Sequence, residues 1–224
     1  FTSVAKSSGA RVVSFGADSG DYHVSNGVLT CPSGEILHCN EMARSLPHDV
    51  TNALAAAAIT IEAGLANTSQ VAQALQSFVN APHRIEFVAE SEGVRWFNDS
   101  KATSPHATSV ALKSFESIVL IAGGKNKGLD LTEMAKNSEK VKAVVAIGSA
   151  AKEIAAAFSS VCEVQIAGSM RDAVNCANEF ATSGDVVLLS PGCASYDWYK
   201  NYGERGTYFK NEVLTLIKNK QIKN

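Results

Sequence analysis

The sequence lacks the excess of positive charge that is typical of proteins that bind nucleic acid or anionic membranes. Its 224 residues include 20 Lys and Arg against 22 Asp and Glu, which gives a formal net charge of −2. Because polyanion binding requires clustered basic side chains, we expect no nucleic-acid partner and no membrane partner. Long hydrophobic runs are missing too: NALAAAAITIEAGL contains Thr60 and Glu62 and is shorter than the ~20 residues that a membrane span needs. It is predicted to form a buried helix.

The cysteines show no disulfide pattern. Five are present, without a C-x-x-C pair: Cys31, Cys39, Cys162, Cys176 and Cys193. An odd number of scattered cysteines favours reduced thiols in the cytoplasm, packed as small hydrophobic side chains. The sequence begins at Phe1 without a Met, a charged segment or a cleavage-site pattern, so we expect no signal peptide in it; a piece of a longer protein is one interpretation.

Two regions with different patterns follow one another along the chain. The first, residues 1–81, has three short strand-like runs, RVVSFGA, DYHVSNGVLTC and GEILHCN, which are typical of the edge of a sheet. Two helices are predicted next, one from SLPHDVTN to Gly64 and one capped by NTSQ, with Val71, Leu75 and Phe78 on one face. The stretch VNAPHR is interpreted as a linker.

The second region, residues 82–224, alternates apolar strands with helices. Strands are predicted at RIEFVAE, VRWFND, SIVLIAGG, AVVAIG, VCEVQIA and DVVLLS, and helices from Ser104, Asp130, Ser149 and Ser169, with a last helix ending near Ile217. This alternation predicts an α/β fold with a Rossmann-like, doubly wound and largely parallel sheet. In such folds, ligands bind beyond the carboxyl ends of the strands, so the residues after each strand are the candidate site.

The loop FNDSKATSPHAT follows one of these strands. Asp99, Ser100, Lys101 and Thr103 stand together just before a helix start, whose unpaired backbone N–H groups suit an anionic ligand. The alternative is structural: Thr103 or Ser104 caps the helix, and the charged side chains are solvated.

Two further loops carry candidate ligand-binding residues. In IAGGKNKGLDL, Lys125 or Lys127 could receive a carboxylate or a phosphate, or both could be solvated; the loop is neither a P-loop nor a G-x-G-x-x-G fingerprint, so a nicotinamide cofactor is not expected. In LLSPGCASYDWYKNYGERGTYFK, Ser195 offers a hydroxyl and an N–H, or simply precedes a helix. Cys193 is interpreted as a packing residue rather than a nucleophile.

Other polar residues lie outside these loops. Arg84, next to His83 in the linker, could bind a nucleotide phosphate or form a salt bridge between domains. Asp49 and Asn52, at i and i+3 of a helix start, could contact a polar ligand edge, or Asp49 could act as a helix cap. Three histidines are too dispersed to predict a metal centre: His23, His38 and His106.

Five ordered motifs together resemble the Mur ligases, the ATP-dependent amino-acid ligases of bacterial peptidoglycan synthesis. They are HDVTNALAAAA, APHRIE, GVRWFNDSKATSPHAT, LIAGGKNKGLD and LLSPGCASYDWYKNYGERGTYF. The last resembles the members that add D-glutamate, and the Asn-Pro-Arg motif usual in those that add a diamino acid is absent. The resemblance implies the end of a central ATP-binding domain in residues 1–81 and the amino-acid-binding domain in residues 82–224. The P-loop, the carbamylated lysine and the principal magnesium ligands would precede Phe1.

The resemblance also implies substrates and roles. ATP, with Mg²⁺, would activate the carboxylate of UDP-N-acetylmuramoyl-L-alanine as an acyl phosphate, and D-glutamate would attack it. Lys101 and Thr103 would lie near the reacting carboxylate. Lys127, Ser195, Tyr196 and Tyr202 would hold D-glutamate, and Asp49, Asn52, Arg84 and Asp99 would contact ATP. No metal ligand is expected in this chain.

Two positions depart from the family pattern. Asp49 stands where members often have Asn, and the variable glycine loop leaves Lys125 as an alternative to Lys127. We expect the chain alone, as a monomer, to be unable to hydrolyse ATP. The alternatives are another Mur-like or folate-type amino-acid ligase, or a binding module without catalysis.

Overall fold

The computed structural model describes Gly9 and residues 11–223 except Asn137, and for Lys223 the backbone alone. The chain divides into two compact units, Phe1–Val79 and Asn80–Asn224. In the described part of the chain, no helix is long and apolar enough to cross a membrane.

The first unit contains a small sheet and two helices. Strands β1 (His23–Ser25), β2 (Val28–Cys31) and β3 (Gly34–His38) form an antiparallel sheet in the order β1-β2-β3. Helices α1 (Pro47–Glu62) and α2 (Thr68–Ser77) follow. The sheet and the helices share one apolar core, in which Leu29 and Leu54 are fully buried.

Three expectations for this unit need correction. DYHVSNGVLTC is not one strand, because Asn26 and Gly27 both take positive φ (51° and 78°) and turn the chain into a hairpin. RVVSFGA contributes only an isolated bridge from Phe15 to Tyr22 instead of a strand. Phe78 does not share the buried face of α2, since it is the C-cap residue in extended conformation and is 61% exposed. The NTSQ cap is confirmed: the Asn67 side chain accepts a hydrogen bond from the Gln70 N–H.

The second unit is built on a six-stranded sheet. Its strands are β4 (Glu86–Ser91), β5 (Val94–Asn98), β6 (Ile118–Gly123), β7 (Val141–Ile147), β8 (Glu163–Ile166) and β9 (Val186–Leu189). The order is β4-β5-β9-β6-β7-β8, with β4 antiparallel and the other five parallel. The predicted α/β class with a largely parallel sheet is confirmed.

Helices cover both faces of this sheet. They are α3 (Pro105–Leu112), α4 (Thr132–Ala135), α5 (Ala151–Phe158), α6 (Met170–Phe180) and α7 (Tyr202–Lys223). On one face, α6 packs on β6 and β7, and α7 packs on β4 and β5. Alternate strand residues such as Val119 and Leu189 lie in the core with these two helices, while α5 packs on β6, β7 and β8. In β6 and β9 the residues facing both sides of the sheet are buried, which explains why these strands are apolar runs without polar alternation.

The helix boundaries differ from the expectation in two places. The segment from Asp130 yields a single helical turn, Thr132–Ala135, and the last helix continues past Ile217 to Lys223. The first two strands of the sheet, β4 and β5, form a hairpin, in which Glu92 and Gly93 take positive φ (54° and 75°). Since β9 lies between β5 and β6, the loops that follow these three strands are neighbours at one end of the sheet.

Candidate functional site

Four loops meet beyond the carboxyl ends of the parallel strands and are joined through their backbones. Gly192 N–H donates to Ala102 O (3.0 Å), Lys125 and Ala194 exchange two backbone hydrogen bonds (2.8 and 3.1 Å), and Ala150 N–H donates to Gly124 O (2.8 Å). We call residues 99–104, 124–130, 148–150 and 190–201 the four-loop surface. The sequence-predicted loops therefore form one continuous surface.

The glycine turn after β6 permits this close approach. Gly123 and Gly124 have φ of 123° and 130°, a region that other residues rarely adopt. A Cβ atom on Gly124 would lie 2.3 Å from Ala194 O, and one on Gly123 would lie 2.1 Å from Ile147 O. The two glycines are therefore required where this loop meets its neighbours.

Asp99 is buried beneath the four-loop surface. Its Oδ2 accepts from Ser190 Oγ (2.7 Å), its Oδ1 accepts from Ile85 N–H (3.2 Å), and its own N–H donates to Leu189 O (2.8 Å). Ile85 has a φ of 45°, which is unusual for a β-branched residue. The carboxylate thus joins the ends of β5 and β9 to the chain entering β4. Its expected contact with ATP stays a prediction.

Asn98, the last residue of β5, has a role that the sequence did not indicate. Its Nδ2 donates to His83 Nδ1 (2.9 Å) and to Glu86 Oε2 (3.1 Å), and its Oδ1 accepts from Ser100 N–H (3.1 Å). Burial lowers the pKa of His83, which favours the neutral ring that accepts this hydrogen bond. His83 is therefore held, partly buried, against the end of β5.

Arg205 is the second residue that sequence reasoning missed. It lies in the first turn of α7, is 1% exposed, and donates to Ser100 Oγ (3.0 Å), Ser100 O (2.8 Å) and Cys193 O (3.1 Å). Ser100 Oγ in turn donates to Tyr202 O (2.7 Å). A signal was present: Arg205, Phe209 and Val213 recur every four residues, which places the arginine on the buried face of the helix.

Two predicted lysines each lie near a tyrosine ring. Lys101 Nζ is 5.1 Å from the centroid of the Tyr202 ring, and Lys127 Nζ is 5.8 Å from that of Tyr196. Both distances are within the range of cation–π attraction. Tyr196 is 64% exposed, so this lysine–tyrosine pair is open to solvent and to an incoming ligand. Lys125 takes part in the loop through its backbone.

The remaining predicted residues of this unit lie at different depths. Ser195 is buried, and its carbonyl accepts from Trp198 N–H (3.2 Å) and Tyr199 N–H (2.8 Å). Thr103 is partly exposed and Arg84 is exposed. Burial raises the pKa of the Cys193 thiol to about 11, which opposes a nucleophilic role and supports its interpretation as a packing residue.

Asp49 and Asn52 belong to the first unit, on α1. Arg44 binds both oxygens of the Asp49 carboxylate (Nε–Oδ2 2.6 Å, Nη2–Oδ1 2.7 Å), and Leu46 N–H donates to Oδ2 (3.1 Å). Burial would raise the pKa of Asp49, but His48, Arg44 and these hydrogen bonds lower it well below its usual value. Asp49 thus completes a helix start, while Asn52 is exposed one turn later. Their contact with ATP stays a prediction.

Among the residues that the structure describes, no three His, Cys, Asp or Glu side chains are grouped so that they could hold a metal ion. The chemical resources of the four-loop surface are therefore cationic side chains, hydroxyl groups, backbone N–H groups and aromatic rings. Such a set suits a small anionic ligand.

Comparison with known sequences identifies the second unit. Residues 83–193 match the family described as "Mur ligase, glutamate ligase domain". The chain is 46% identical over 186 residues to a "UDP-N-acetylmuramoylalanine--D-glutamate ligase" of Pelotomaculum thermopropionicum, covering 80% of this chain and 41% of that protein. A protein of the same name from Frankia casuarinae is 42% identical, with 80% and 39% covered. The chain thus spans about two fifths of the length of these relatives.

Solved structures show the same fold. The "UDP-N-acetylmuramate-alanine ligase" of Thermotoga maritima matches with a TM-score of 0.67 and 17% identity over 93% of this chain and 48% of that one. The folylpolyglutamate synthase of Mycobacterium tuberculosis, complexed with ADP and AMPPCP, matches with a TM-score of 0.65 and 17% identity over 93% and 51%. The sequence matches show that the chain belongs to the Mur ligase family, through the glutamate ligase domain of residues 83–193.

Proposed function

We propose that this chain is the amino-acid-binding part of an ATP-dependent ligase that joins D-glutamate to UDP-N-acetylmuramoyl-L-alanine. The observation that carries the proposal is the pair of lysine–tyrosine contacts, Lys101 with Tyr202 and Lys127 with Tyr196, on loops whose backbones are hydrogen-bonded to one another. Lys127 complements a carboxylate of D-glutamate, and Lys101 on the neighbouring loop complements the negative charge that develops on the reacting carbonyl group. The names of relatives 42–46% identical to the chain support this substrate.

Several residues on and next to the four-loop surface then have roles in the attack of the amine on the activated L-alanyl carboxyl group. Lys127 and Ser195 hold carboxylates of D-glutamate, together with the backbone around Tyr196 and Tyr202. Lys101 and Thr103 face the carbonyl group. As the C–N bond forms, negative charge builds on the carbonyl oxygen, and Lys101 stabilises it. When the carbonyl group is restored, phosphate leaves as the C–O bond to it breaks.

Two of the carboxylates that are expected to contact ATP have hydrogen-bond partners within the chain. Both oxygens of Asp99 accept hydrogen bonds inside the protein, and both oxygens of Asp49 are bound by Arg44. The sequence contains no P-loop, so we assign the binding of the ATP phosphates and Mg²⁺ to parts of the enzyme outside this chain. Asp49, Asn52, Arg84 and Asp99 remain the candidates for nucleotide contact in this chain, and of these Asn52 and Arg84 are exposed. All five cysteines are free, which supports a cytoplasmic location.

The proposal is tested by joining the chain to its natural upstream region and measuring phosphate release and amide formation with ATP and UDP-N-acetylmuramoyl-L-alanine. D-Glutamate is compared with L-glutamate, a diamino acid and no amino acid. Turnover that depends on D-glutamate is expected. Turnover with a different amino acid would instead indicate another Mur-like ligase, and turnover with a folate acceptor a folate-type ligase. No turnover with any acceptor, together with D-glutamate binding to the chain, would indicate a binding module.

A further inference from the structure

Arg205 is a buried cation without an ion pair. In the described residues, no carboxylate oxygen lies within 4 Å of its side-chain nitrogens. All three of its side-chain hydrogen bonds go to neutral oxygens, those of Ser100 and Cys193. Burying a cation without an opposite charge costs free energy of folding. The position of Arg205 therefore indicates a role other than stability.

The guanidinium group remains charged at neutral pH. Burial lowers the pKa of Arg205 to about 10, while Asp197, Cys193, Tyr199 and Asp99 act in the opposite direction. The side chain is therefore a cation under working conditions, and neither aspartate touches it.

Its three hydrogen bonds reach two loops that carry predicted substrate contacts. Ser100 directly precedes Lys101, and Cys193 lies two residues before Ser195. The same Ser100 hydroxyl that accepts from Arg205 donates to Tyr202 O, and the Tyr202 ring is the one that Lys101 approaches. On the third loop, a Cβ on Gly124 would come within 3.0 Å of Arg205 Nη1.

We propose that Arg205 is a positioning residue. Through its hydrogen bonds to Ser100 and Cys193, it holds Lys101, Tyr202 and Ser195 in the geometry that binds D-glutamate. This inference rests on the proposed function. The planar fork of a guanidinium can donate in three directions at once, whereas a lysine ammonium cannot reproduce that geometry. Arg205 acts through these neighbours and does not itself need to reach the substrate.

The test uses the ligase formed by the chain and its natural upstream region, with Arg205→Lys, Arg205→Met and the control Arg171→Met. Arg171 is an exposed arginine whose Nε pairs with Glu212 at 3.1 Å. Because it does not belong to the four-loop surface, Arg171→Met repeats the chemical change of Arg205→Met outside that surface. Both Arg205 variants are expected to raise KM for D-glutamate roughly tenfold or more. They are also expected to lower kcat about 10²-fold through misplacement of the reacting groups. KM for ATP and for UDP-N-acetylmuramoyl-L-alanine should stay unchanged, as should every parameter of Arg171→Met.

The selective rise in the D-glutamate KM distinguishes positioning from a structural role. If Arg205→Lys is folded, as shown by its thermal unfolding, and has wild-type kcat and KM for D-glutamate, the proposal is wrong. It is equally wrong if all three KM values rise in parallel with a loss of folded protein. If Arg205→Met does not fold, the kcat and KM of Arg205→Lys decide whether the proposal holds.

An incorrect proposed function would give a different result from an incorrect role for Arg205. A wild-type enzyme without D-glutamate-dependent turnover removes the assigned substrate before any variant is compared. Amide exchange of Ser100 and Lys101 in the 224-residue chain then reports on the loop alone. Faster exchange in Arg205→Lys than in Arg171→Met supports the part of the inference that concerns loop geometry, and equal exchange overturns it.

Discussion

The two ends of the central sheet treat buried charge differently. At the amino ends of the strands, Asp185 accepts hydrogen bonds from Lys142 Nζ (2.8 Å), Ser117 Oγ (2.6 Å) and the Thr182 backbone N–H (2.8 Å). At the carboxyl ends, the Arg205 cation has only neutral hydrogen-bond partners. One end pairs its buried carboxylate with a lysine, and the other holds a buried arginine through neutral oxygens beneath a surface of lysines and aromatic rings.

This difference separates stability from function. A fully partnered carboxylate stabilises the native state, because its hydrogen bonds favour the ionised form. A cation that is bound only by neutral oxygens adds little stability, but its hydrogen bonds fix the loops of a surface that is proposed to receive a dicarboxylate. Changes at the carboxyl ends should therefore act mainly on activity, and changes at the amino ends mainly on the free energy of unfolding.

The largest effect is expected for Lys101→Met in the complete ligase. Loss of the cation that faces the reacting carbonyl group should lower kcat by about 10²–10³-fold, with little change in thermal unfolding. The measurement is steady-state amide formation with saturating substrates. Lys152→Met, which changes an exposed lysine on α5, is the matched control and should behave as wild type. Near-normal turnover of Lys101→Met would remove the proposed role of this residue.

A substitution in the glycine turn should affect activity and stability together. In Gly124→Ala, the new methyl group would meet Ala194 O at 2.3 Å, and the residue would retain a φ of 130°. Backbone strain of this kind costs about 1–3 kcal/mol, and the loop that carries Lys127 must shift. Gly128→Ala is the control, because Gly128 also has a positive φ (80°) but nothing lies within 4 Å of its Cβ position. Urea unfolding and D-glutamate KM are compared; equal effects in the two variants would argue against the steric explanation.

At the opposite end, Asp185→Asn should reduce stability without changing activity. Burial alone would raise the pKa of Asp185, but Lys142, Ser117 and Thr182 lower it to about 2 from 3.8. Because the folded-state pKa is the lower one, the stabilisation is present above about pH 4 and is lost as the pH falls towards 2. This difference in pKa between the unfolded and folded states corresponds to about 2 kcal/mol in the free energy of unfolding at neutral pH.

Urea unfolding of wild type and Asp185→Asn between pH 7 and pH 3 tests this. The gap between the two free energies of unfolding should narrow only below about pH 4. A gap that is constant down to pH 3, or a variant with reduced kcat, would contradict the division between the two ends of the sheet.

The sequence predicted the sheet and its loops well because apolar strand runs and glycine turns are local signals. FNDSKATSPHAT and IAGGKNKGLDL were placed at the carboxyl ends of strands, where the structure has them. The hairpin turn at Asn26–Gly27 is a local signal as well, because Asn-Gly is typical of a two-residue hairpin loop, and the interpretation of DYHVSNGVLTC as one strand missed it. The interpretation of RVVSFGA as a strand was wrong because few residues of that run find a backbone partner.

The polar interior of the site could not be predicted in the same way. Arg205 meets Ser100, 105 residues away in sequence, and Ser190 meets Asp99, 91 residues away. Such pairs depend on which strands are neighbours, and the insertion of β9 between β5 and β6 is not encoded in any local pattern. Asp99 was therefore recognised as a candidate, but its hydrogen-bond partners were not.

Lys142→Met gives the smallest expected effect and measures how much of the amino-end network depends on its charge. The Lys142 side chain is 40% exposed, and ion pairs that include an exposed lysine contribute about 0–1 kcal/mol. Without it, Asp185 keeps Ser117 Oγ and the N–H and hydroxyl of Thr182, so the carboxylate remains hydrogen-bonded. Urea unfolding at neutral pH should therefore show a smaller loss for Lys142→Met than for Asp185→Asn. A loss as large as that of Asp185→Asn would mean that the ion pair, rather than the hydrogen bonds, stabilises this end of the sheet.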